Sequence, residues 1–483
     1  MNRPALARAE DFSGRRVLVA GLGVSGRSAA QVATELGARV TGADCDPRAQ
    51  ERDLPAGVDV IAEADADRLA DRALATDPDL IVASPGWNPR TPLLARAQAE
   101  VISEVELAWR IAPPQVPWLT LTGTNGKTTT VGMLAAILQA HGWHAPAVGN
   151  VGTPIAEEVW RARSSGQELD ALAVELSSFQ LHYTSTVAPM ASACLNVHAD
   201  HLDWHGGLDA YVADKAKVYQ RTTTACIYNT ADDRTRQMVT EADVQEGARA
   251  IGFSLGTPGP GEVGLVEDVL ADRAFVPNRA THAAELGTLA DLEHLSGGEV
   301  PPHLIANALA AAALARAAGA EPAAVSSGLR AYGPGPHRMQ LAGEHQGVRY
   351  IDDSKATNAH AAAAALSAMQ PGSTVWIAGG LAKGARFDEL VAAFADKLRA
   401  AVVIGTDPEP ITSALSRHAP HIPLTVVPAG DTEVMTTAVR RASAYAAPGD
   451  TVLLAPACAS MDQFTSYAAR GEAFAAAVEQ VAR

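Results

Sequence analysis

The chain has 483 residues, which at roughly 150 residues per domain points to about three domains and excludes a single small module. Its 54 acidic against 38 basic side chains give a formal charge of -16, which disfavours nucleic acid and anionic lipid as partners. Hydrophobic residues at 47% and charged residues at 19% are ordinary globular usage, so each domain can bury a core and wholesale disorder is excluded.

At the amino terminus Arg3 and Arg8 are followed by Glu10 and Asp11, where a secretory signal needs an apolar run. Even the Ala-rich segment after Leu304 is broken by Asn307 and Arg316, so no membrane span is expected. Cys45, Cys194, Cys226 and Cys458 are dispersed and read as reduced core thiols. A cytoplasmic protein is expected.

The first hundred residues alternate apolar runs with helical patterns: RVLVAG at 16–21, ARVTGAD at 38–44, LIVAS at 80–84 and VISEV at 101–105, which predicts βαβ units on a parallel sheet. Gly21-x-Gly23-x-x-Gly26 ends the first strand and Asp44 ends the second. Glycines there let a backbone approach a diphosphate, and Asp44 can accept from a ribose hydroxyl. Taken alone that suggests NAD and a dehydrogenase, yet any nucleotide diphosphate satisfies it.

Pro113, Pro114 and Pro117 interrupt the series before a fresh buried strand, WLTLTG at 118–123. The loop Gly123-Thr124-Asn125-Gly126-Lys127-Thr128-Thr129 then opens a helical pattern through Leu138, the context in which backbone amides and a helix N-terminus cradle phosphate. Two residues separate its glycines where the strict P-loop has four, so it reads as a shortened ATP-binding variant. Lys127 would neutralise the β and γ phosphates and Thr128 would sit on Mg2+. Further strands are expected at AVELS (173–177), ACLNV (193–197) and ACIYN (225–229). Glu175, at a strand end followed by Ser177-Ser178-Phe179-Gln180, is a plausible metal ligand.

The run Asn196 to His205 packs three His and two Asp into ten residues. It has no zinc spacing and reads either as ionic or metal machinery or as a polar surface cluster. In the helical YVADKAKVY, Lys215 and Lys217 lie on different faces, and residue type alone predicts that both are solvated. The stretch 255–300 is Gly/Pro-rich and expected to be irregular, closed by helices from about Leu304 and Pro322. GPGPH at 333–337 reads as a linker and hinge. A third βα series follows at 349–353, 374–380, 400–405, 424–428 and 451–456. Its strand-end motifs, Asp352-Asp353-Ser354-Lys355-Ala356-Thr357-Asn358 and Ala459-Ser460-Met461-Asp462-Gln463-Phe464, occupy the usual ligand crevice.

These motifs, GTNGKTT, ELSSFQL, NVHADHLD, the Lys215 helix, the His303 to Asn307 helix, PHR, DDSKATN and CASMDQF, resemble in order and spacing the Mur ligases of peptidoglycan synthesis. GLGVSG, SPG at 84–86, DSKATN and ASMDQF resemble the D-glutamate-adding branch. The resemblance implies an α/β protein of three domains in series. Residues 1–112 would form a Rossmann-like UDP-binding domain and 113–334 a central P-loop ATPase-like domain with a mostly parallel sheet. Residues 335–483 would form a C-terminal Rossmann-like domain for the amino acid.

It implies ATP-dependent addition of D-glutamate to UDP-N-acetylmuramoyl-L-alanine through an acyl phosphate. Gly123 to Thr129 would hold ATP, with Asn307, Arg338 and Asp353 as adenine, phosphate and ribose contacts. One Mg2+ would rest on Thr128 and Glu175. A second would rest on His201 and on Lys215 as a carbamate, which needs CO2 or bicarbonate. Gly23, Val24, Ser25, Asp44, Ser84, Asn150, Ser177, Gln180 and His201 match the UDP-substrate side. Lys355, Thr357, Lys383, Ser460, Met461 and Tyr467 match the D-glutamate pocket. The chain departs from the pattern at Leu304 and at Leu381-Ala382, ahead of Lys383. A monomer with small-molecule substrates, and without nucleic acid or membrane partners, is expected. A dehydrogenase with an appended ATPase, another amino-acid specificity within the family, and a non-catalytic nucleotide sensor are the competing readings.

Overall fold

The computed structural model describes residues 8–481 other than 52, 297–298, 334, 336, 383 and 430–432. The chain divides into two compact units, Met1–Tyr332 and Gly333–Arg483.

The first unit begins with a five-stranded sheet built from β1 (Arg16–Ala20), β2 (Arg39–Asp44), β3 (Asp59–Ala62), β4 (Leu80–Ala83) and β5 (Glu100–Ser103). Its order is β3-β2-β1-β4-β5 and every pairing is parallel. Near-continuous apolar runs such as Leu80–Ala83 are buried at all four positions, as a strand covered on both faces requires. The order reverses between β1 and β4, which sets the loops after those strands at the ligand-binding crevice.

The second sheet has nine strands: β6 (Trp118–Thr122), β7 (Ala147–Gly149), β8 (Leu172–Glu175), β9 (Ala191–Cys194), β10 (Ala225–Asn229), β11 (Arg249–Phe253), β12 (Glu262–Val266), β13 (Val269–Asp272) and β14 (Ala284–Thr288). In the order β14-β13-β12-β11-β10-β9-β6-β8-β7, β6 sits between β9 and β8, so the phosphate loop emerges beside the ends of both neighbours. Strands β12, β13 and β14 pair antiparallel. The expectation that 255–300 is irregular is therefore wrong. Gly and Pro there mark the turns, and Gly264 and Gly287 inside short strands hide the alternation that would have announced them.

One continuous apolar core runs from Val17 and Val19 through Trp118 to Leu172 and Val174, tying the first two sheets into a single body. Trp109 and Trp118 meet edge-on, with ring centroids 5.2 Å apart. The helix Ile155–Ser165 packs against the helices Glu104–Ile111 and Val24–Glu35. Glu104 is buried and its Oε1 accepts the Ala156 N–H at 2.5 Å, so a carboxylate from one helix caps another. Burial pushes Glu104 up to about 7.

The second unit holds six strands: β15 (Gln340–His345), β16 (Val348–Asp352), β17 (Thr374–Gly379), β18 (Leu398–Ile404), β19 (Leu424–Val426) and β20 (Thr451–Leu454), in the order β15-β16-β20-β17-β18-β19. The antiparallel hairpin of β15 with β16 at one edge was not expected, and the remaining pairs are parallel. Cys194, Cys226 and Cys458 are buried free thiols as expected, whereas Cys45 is exposed, a correction to the reading of four core cysteines. No helix among the described residues is long and apolar enough to cross a membrane.

Candidate active site around a shortened phosphate loop

Strand β6 delivers Gly123 to Gly126, and the helix Lys127–Ala140 starts at once. Gly126 has φ +82°, and a Cβ there would lie 2.4 Å from Asn307 Oδ1. Only glycine fits this turn, and Asn307 is thereby placed on the loop. Asn196 organises the rest. Its carbonyl accepts the Thr124 N–H at 3.0 Å, its Oδ1 accepts the Asn125 N–H at 2.9 Å, and its Nδ2 donates back to Asn125 O at 3.2 Å. Thr124 Oγ1 lies 2.9 Å from Tyr211 Oη and accepts the His198 N–H at 2.9 Å, so this hydroxyl braces the loop from within. The first-turn amides of the helix, which have no intrahelical acceptor, remain as the anion-facing donors. Lys127 Nζ folds onto Gly123 O at 2.8 Å and Thr124 O at 3.0 Å, with the half-buried Thr128 beside it.

Behind the loop lies Lys215, on the helix Leu208–Ala216. It is 2% exposed, and its Nζ donates to Gly123 O at 2.9 Å and Thr122 Oγ1 at 3.3 Å. This corrects the expectation of a solvated lysine: sequence spacing cannot show that β6 lies against this helix face. Burial, with Lys127 adding repulsion, lowers Lys215 to about 7. Lys217 is paired with Asp214 at 2.9 Å, so it too departs from a simply solvated residue.

Glu175 ends β8 at 1% exposure. Asn150 Nδ2 donates to its Oε1 at 2.9 Å, while its Oε2 is buried without a hydrogen-bond partner among the described residues. An orphaned carboxylate oxygen next to a phosphate loop suits a hard cation. Among the described residues no cluster of three or more His, Cys, Asp or Glu side chains is assembled for a metal. A cation here would therefore draw further oxygens from Thr128 and from phosphate. His201 adopts φ +51°, its N–H donates to Asp200 Oδ1 at 2.9 Å, and its ring meets Phe179 at 4.7 Å.

Ser177 and Gln180 form a capping box on the helix Ser178–His182. Gln180 is buried and its Oε1 accepts the Ser177 N–H at 2.9 Å. In this structure Gln180 therefore shapes the turn that presents Ser177.

Gly23, Val24, Ser25, Asp44 and Ser84, expected on the diphosphate side, lie at the strand ends and following loops of the first sheet. A Cβ on Gly26 would lie 1.8 Å from Gly21 O, so the third glycine allows helix and strand to touch. Ser84 Oγ donates to Gly21 O at 2.7 Å. Asp44 accepts the Leu22 and Asp46 N–H groups at 2.8 and 2.9 Å. Asp44 also lines a cavity of about 250 Å3 with Leu69, Trp87 and Asn88. Gly23 caps the helix that opens with Val24 and Ser25, and Val24 is 64% exposed.

In the second unit, the adjacent parallel strands β16, β20 and β17 end in the motif loops. Lys355 Nζ sits 3.7 Å above the Tyr467 ring, and Thr357 N–H bonds to Lys355 O at 2.8 Å. Ser460 is buried and Met461 is 67% exposed. Arg470, which sequence reasoning missed, is fully buried. It donates to Ser354 Oγ at 3.0 Å, Ser354 O at 2.9 Å and Cys458 O at 3.1 Å, joining two motif loops. Burial lowers it to about 10. Asp353 accepts the Met339 N–H at 3.2 Å, beside Arg338, and burial raises it to about 7. Lys383 lies outside the described residues.

Residues 121–315 match the model of the Mur ligase middle domain and 337–458 that of the Mur ligase glutamate ligase domain. Residues 5–88 match the alanine dehydrogenase/PNT C-terminal domain. The chain is 51% identical to the UDP-N-acetylmuramoylalanine--D-glutamate ligase of Streptomyces coelicolor, over 98% of this chain and 99% of that one. It is 50% identical to the enzyme of the same name from Thermobifida fusca, over 98% and 100%. Among solved structures, the UDP-N-acetylmuramate-alanine ligase of Thermotoga maritima has the same fold, with TM-score 0.57 at 16% identity over 97% of this chain and 100% of that one.

Proposed function

The chain belongs to the Mur ligase family, and from that premise we propose that it is an ATP-dependent ligase that joins D-glutamate to UDP-N-acetylmuramoyl-L-alanine in peptidoglycan precursor synthesis. The observation that carries the chemistry is the convergence of a phosphate loop, an orphaned Glu175 oxygen and a buried Lys215 amine at the ends of β6 and β8. The amino-acid identity rests on the relatives' names together with the Lys355–Tyr467 pair and the buried Arg470.

In this reading the L-alanyl carboxylate attacks the γ-phosphorus of ATP. The bond to the bridging oxygen breaks, leaving an acyl phosphate and ADP. The D-glutamate amine then attacks the acyl carbon, phosphate departs with its oxygen, and the nitrogen loses a proton to give the amide. Lys127 and the helix N-terminus hold the transferring phosphate and offset its charge. Thr128 and Glu175 would hold one Mg2+, and His201 with a carbamylated Lys215 a second. When bound, these ions neutralise phosphate charge. Near neutral pH much of Lys215 is the neutral amine, the form that adds to CO2, releasing one proton and leaving an anionic carbamate.

Residues 1–112 would take the UDP end of the substrate, with Asp44, Ser84 and Gly23 to Ser25 as its cradle. Asn150, Ser177 and Gln180 would lie on the muramyl side. Residues 113–334 would bind ATP, and Asn307, Arg338 and Asp353 would contact the nucleotide. Residues 335–483 would hold D-glutamate through Lys355, Thr357, Lys383, Ser460, Met461 and Tyr467. The protein would act in the cytoplasm as a monomer. The two-step route is tested by treating protein, ATP and acceptor with borohydride in the absence of D-glutamate. Trapped alcohol is expected, and amide synthesis without any trappable acyl group would contradict it.

A further inference from the structure

Asp214 is buried one residue before Lys215 on the same helix. Its Oδ2 accepts from Nδ1 of His182 at 2.8 Å and from Nδ1 of His205 at 2.9 Å, and its Oδ1 pairs with Lys217 Nζ at 2.9 Å. Lys217 donates in turn to His182 O at 2.8 Å. The His205 side chain is fully buried, and its Nε2 lies 3.0 Å from Ser178 Oγ. A carboxylate only accepts, so Nδ1 of His205 carries a proton. In the neutral ring Nε2 is then the acceptor, and the Ser178 hydroxyl donates to it.

The segments joined in this way are short: Ser178–His182, Leu202–His205 and Leu208–Ala216 have five, four and nine residues. Helices of that length do not hold themselves by backbone bonds. Each begins beside or carries a residue assigned above to substrate or metal: Ser177, His201 and Lys215. The same cluster is tied to the loop after β4. Asn88 Nδ2 donates to Trp204 O at 3.0 Å, Arg90 Nη2 to Asp203 O at 2.7 Å, and Tyr183 Oη to Trp87 O at 3.0 Å.

We propose that Asp214, acting through His205 and His182, is a positioning group for ligation: it fixes the roll of the Lys215 helix and the seat of His201, and connects both to the loop that flanks the UDP cradle. This inference rests on the ligase reading, and it assigns work to residues outside the binding sets given above.

The test compares wild type with Asp214→Asn, His205→Gln and His205→Asn. An Asn amide can reach Asp214 as Nδ1 does, whereas a Gln at 205 reaches Ser178 and leaves Asp214 without that donor. Asp214→Asn and His205→Gln are expected to lower kcat by about tenfold to a hundredfold, the scale of a misplaced catalytic group. They should also raise the bicarbonate concentration for half-maximal activity several-fold, with the D-glutamate KM unchanged. His205→Asn should recover most of the loss. Independently of turnover, protein equilibrated with 13C-bicarbonate should show a lysine carbamate resonance that weakens in Asp214→Asn and His205→Gln and returns in His205→Asn. Bicarbonate dependence and resonance that match wild type in both disruptive variants would overturn the proposal, even if their melting temperatures fall. So would a wild-type chain that forms no carbamate. Absence of wild-type amide synthesis would instead remove the ligase reading, and the carbamate resonance would still decide whether Asp214 positions Lys215.

Discussion

Lys215 in the first unit and Lys355 in the second are both amines assigned to meet anionic chemistry, and their surroundings are opposite. Lys215 is 2% exposed and its hydrogen bonds go to the neutral oxygens of Gly123 and Thr122. Lys355 is half-buried on a loop, with its Nζ 3.7 Å above the Tyr467 ring. Desolvation drives a buried amine towards its neutral, nucleophilic form, which suits modification by CO2. An aromatic face at a solvent edge instead stabilises the cation, which suits a carboxylate. On the proposed reading, the same residue type would serve as a covalent handle in one place and as an ion-pairing group in the other.

The largest effect that would sharpen this contrast is expected from Lys127→Ala, which should abolish detectable acyl-phosphate formation while affinity for the UDP-substrate, measured calorimetrically, stays near wild type. Unchanged turnover would break the assignment of the loop to ATP. Next, Lys215→Arg places a permanent cation where a neutral amine is needed. It should cost about a thousandfold in kcat, on the scale of losing a group preorganised for the transition state, erase the bicarbonate response and leave the D-glutamate KM alone.

Lys355→Ala tests the other half. It should raise the D-glutamate KM by about tenfold to a hundredfold, the worth of one charge-assisted hydrogen bond, with the ATP KM unchanged. A shift in the ATP KM instead would show that the two lysines do not divide the work as described.

The smallest kinetic effect is expected at Glu104, a buried acid whose Oε1 accepts the Ala156 N–H. Its folded-state value of about 7 lies above its ordinary 4.5, so between those values the folded chain binds more protons than the unfolded one, and stability falls as pH rises through that window. Denaturant titrations should show a decline of up to about 3 kcal/mol in wild type, by the usual conversion of a pKa difference. Glu104→Gln should flatten it with near-normal turnover.

Much of the fold was legible because β1, β2, β4 and β6 are short runs rich in apolar residues, with glycine directly after β1 and β6, a pattern that local sequence carries. Asp59–Ala62 and Arg249–Phe253 escaped because their strands are only partly apolar, and 255–300 because glycines interrupt its short strands. The phosphate loop and the DSKATN and CASMDQF loops were readable for the same reason: each is one stretch of chain. Lys215 was not, since the groups that accept its hydrogen bonds lie 92 and 93 residues away. Arg470 was hidden likewise, with its Ser354 partner 116 residues distant. Residue type announces an amine, but only the long-range packing determines whether it is wet.

The central claim is tested most directly by phosphate release from ATP with Mg2+, bicarbonate and UDP-N-acetylmuramoyl-L-alanine, comparing D-glutamate with L-glutamate, L-alanine and diaminopimelate. Stoichiometric phosphate and amide with D-glutamate alone is the predicted result. No release with D-glutamate, or equal release with another amino acid, would contradict it.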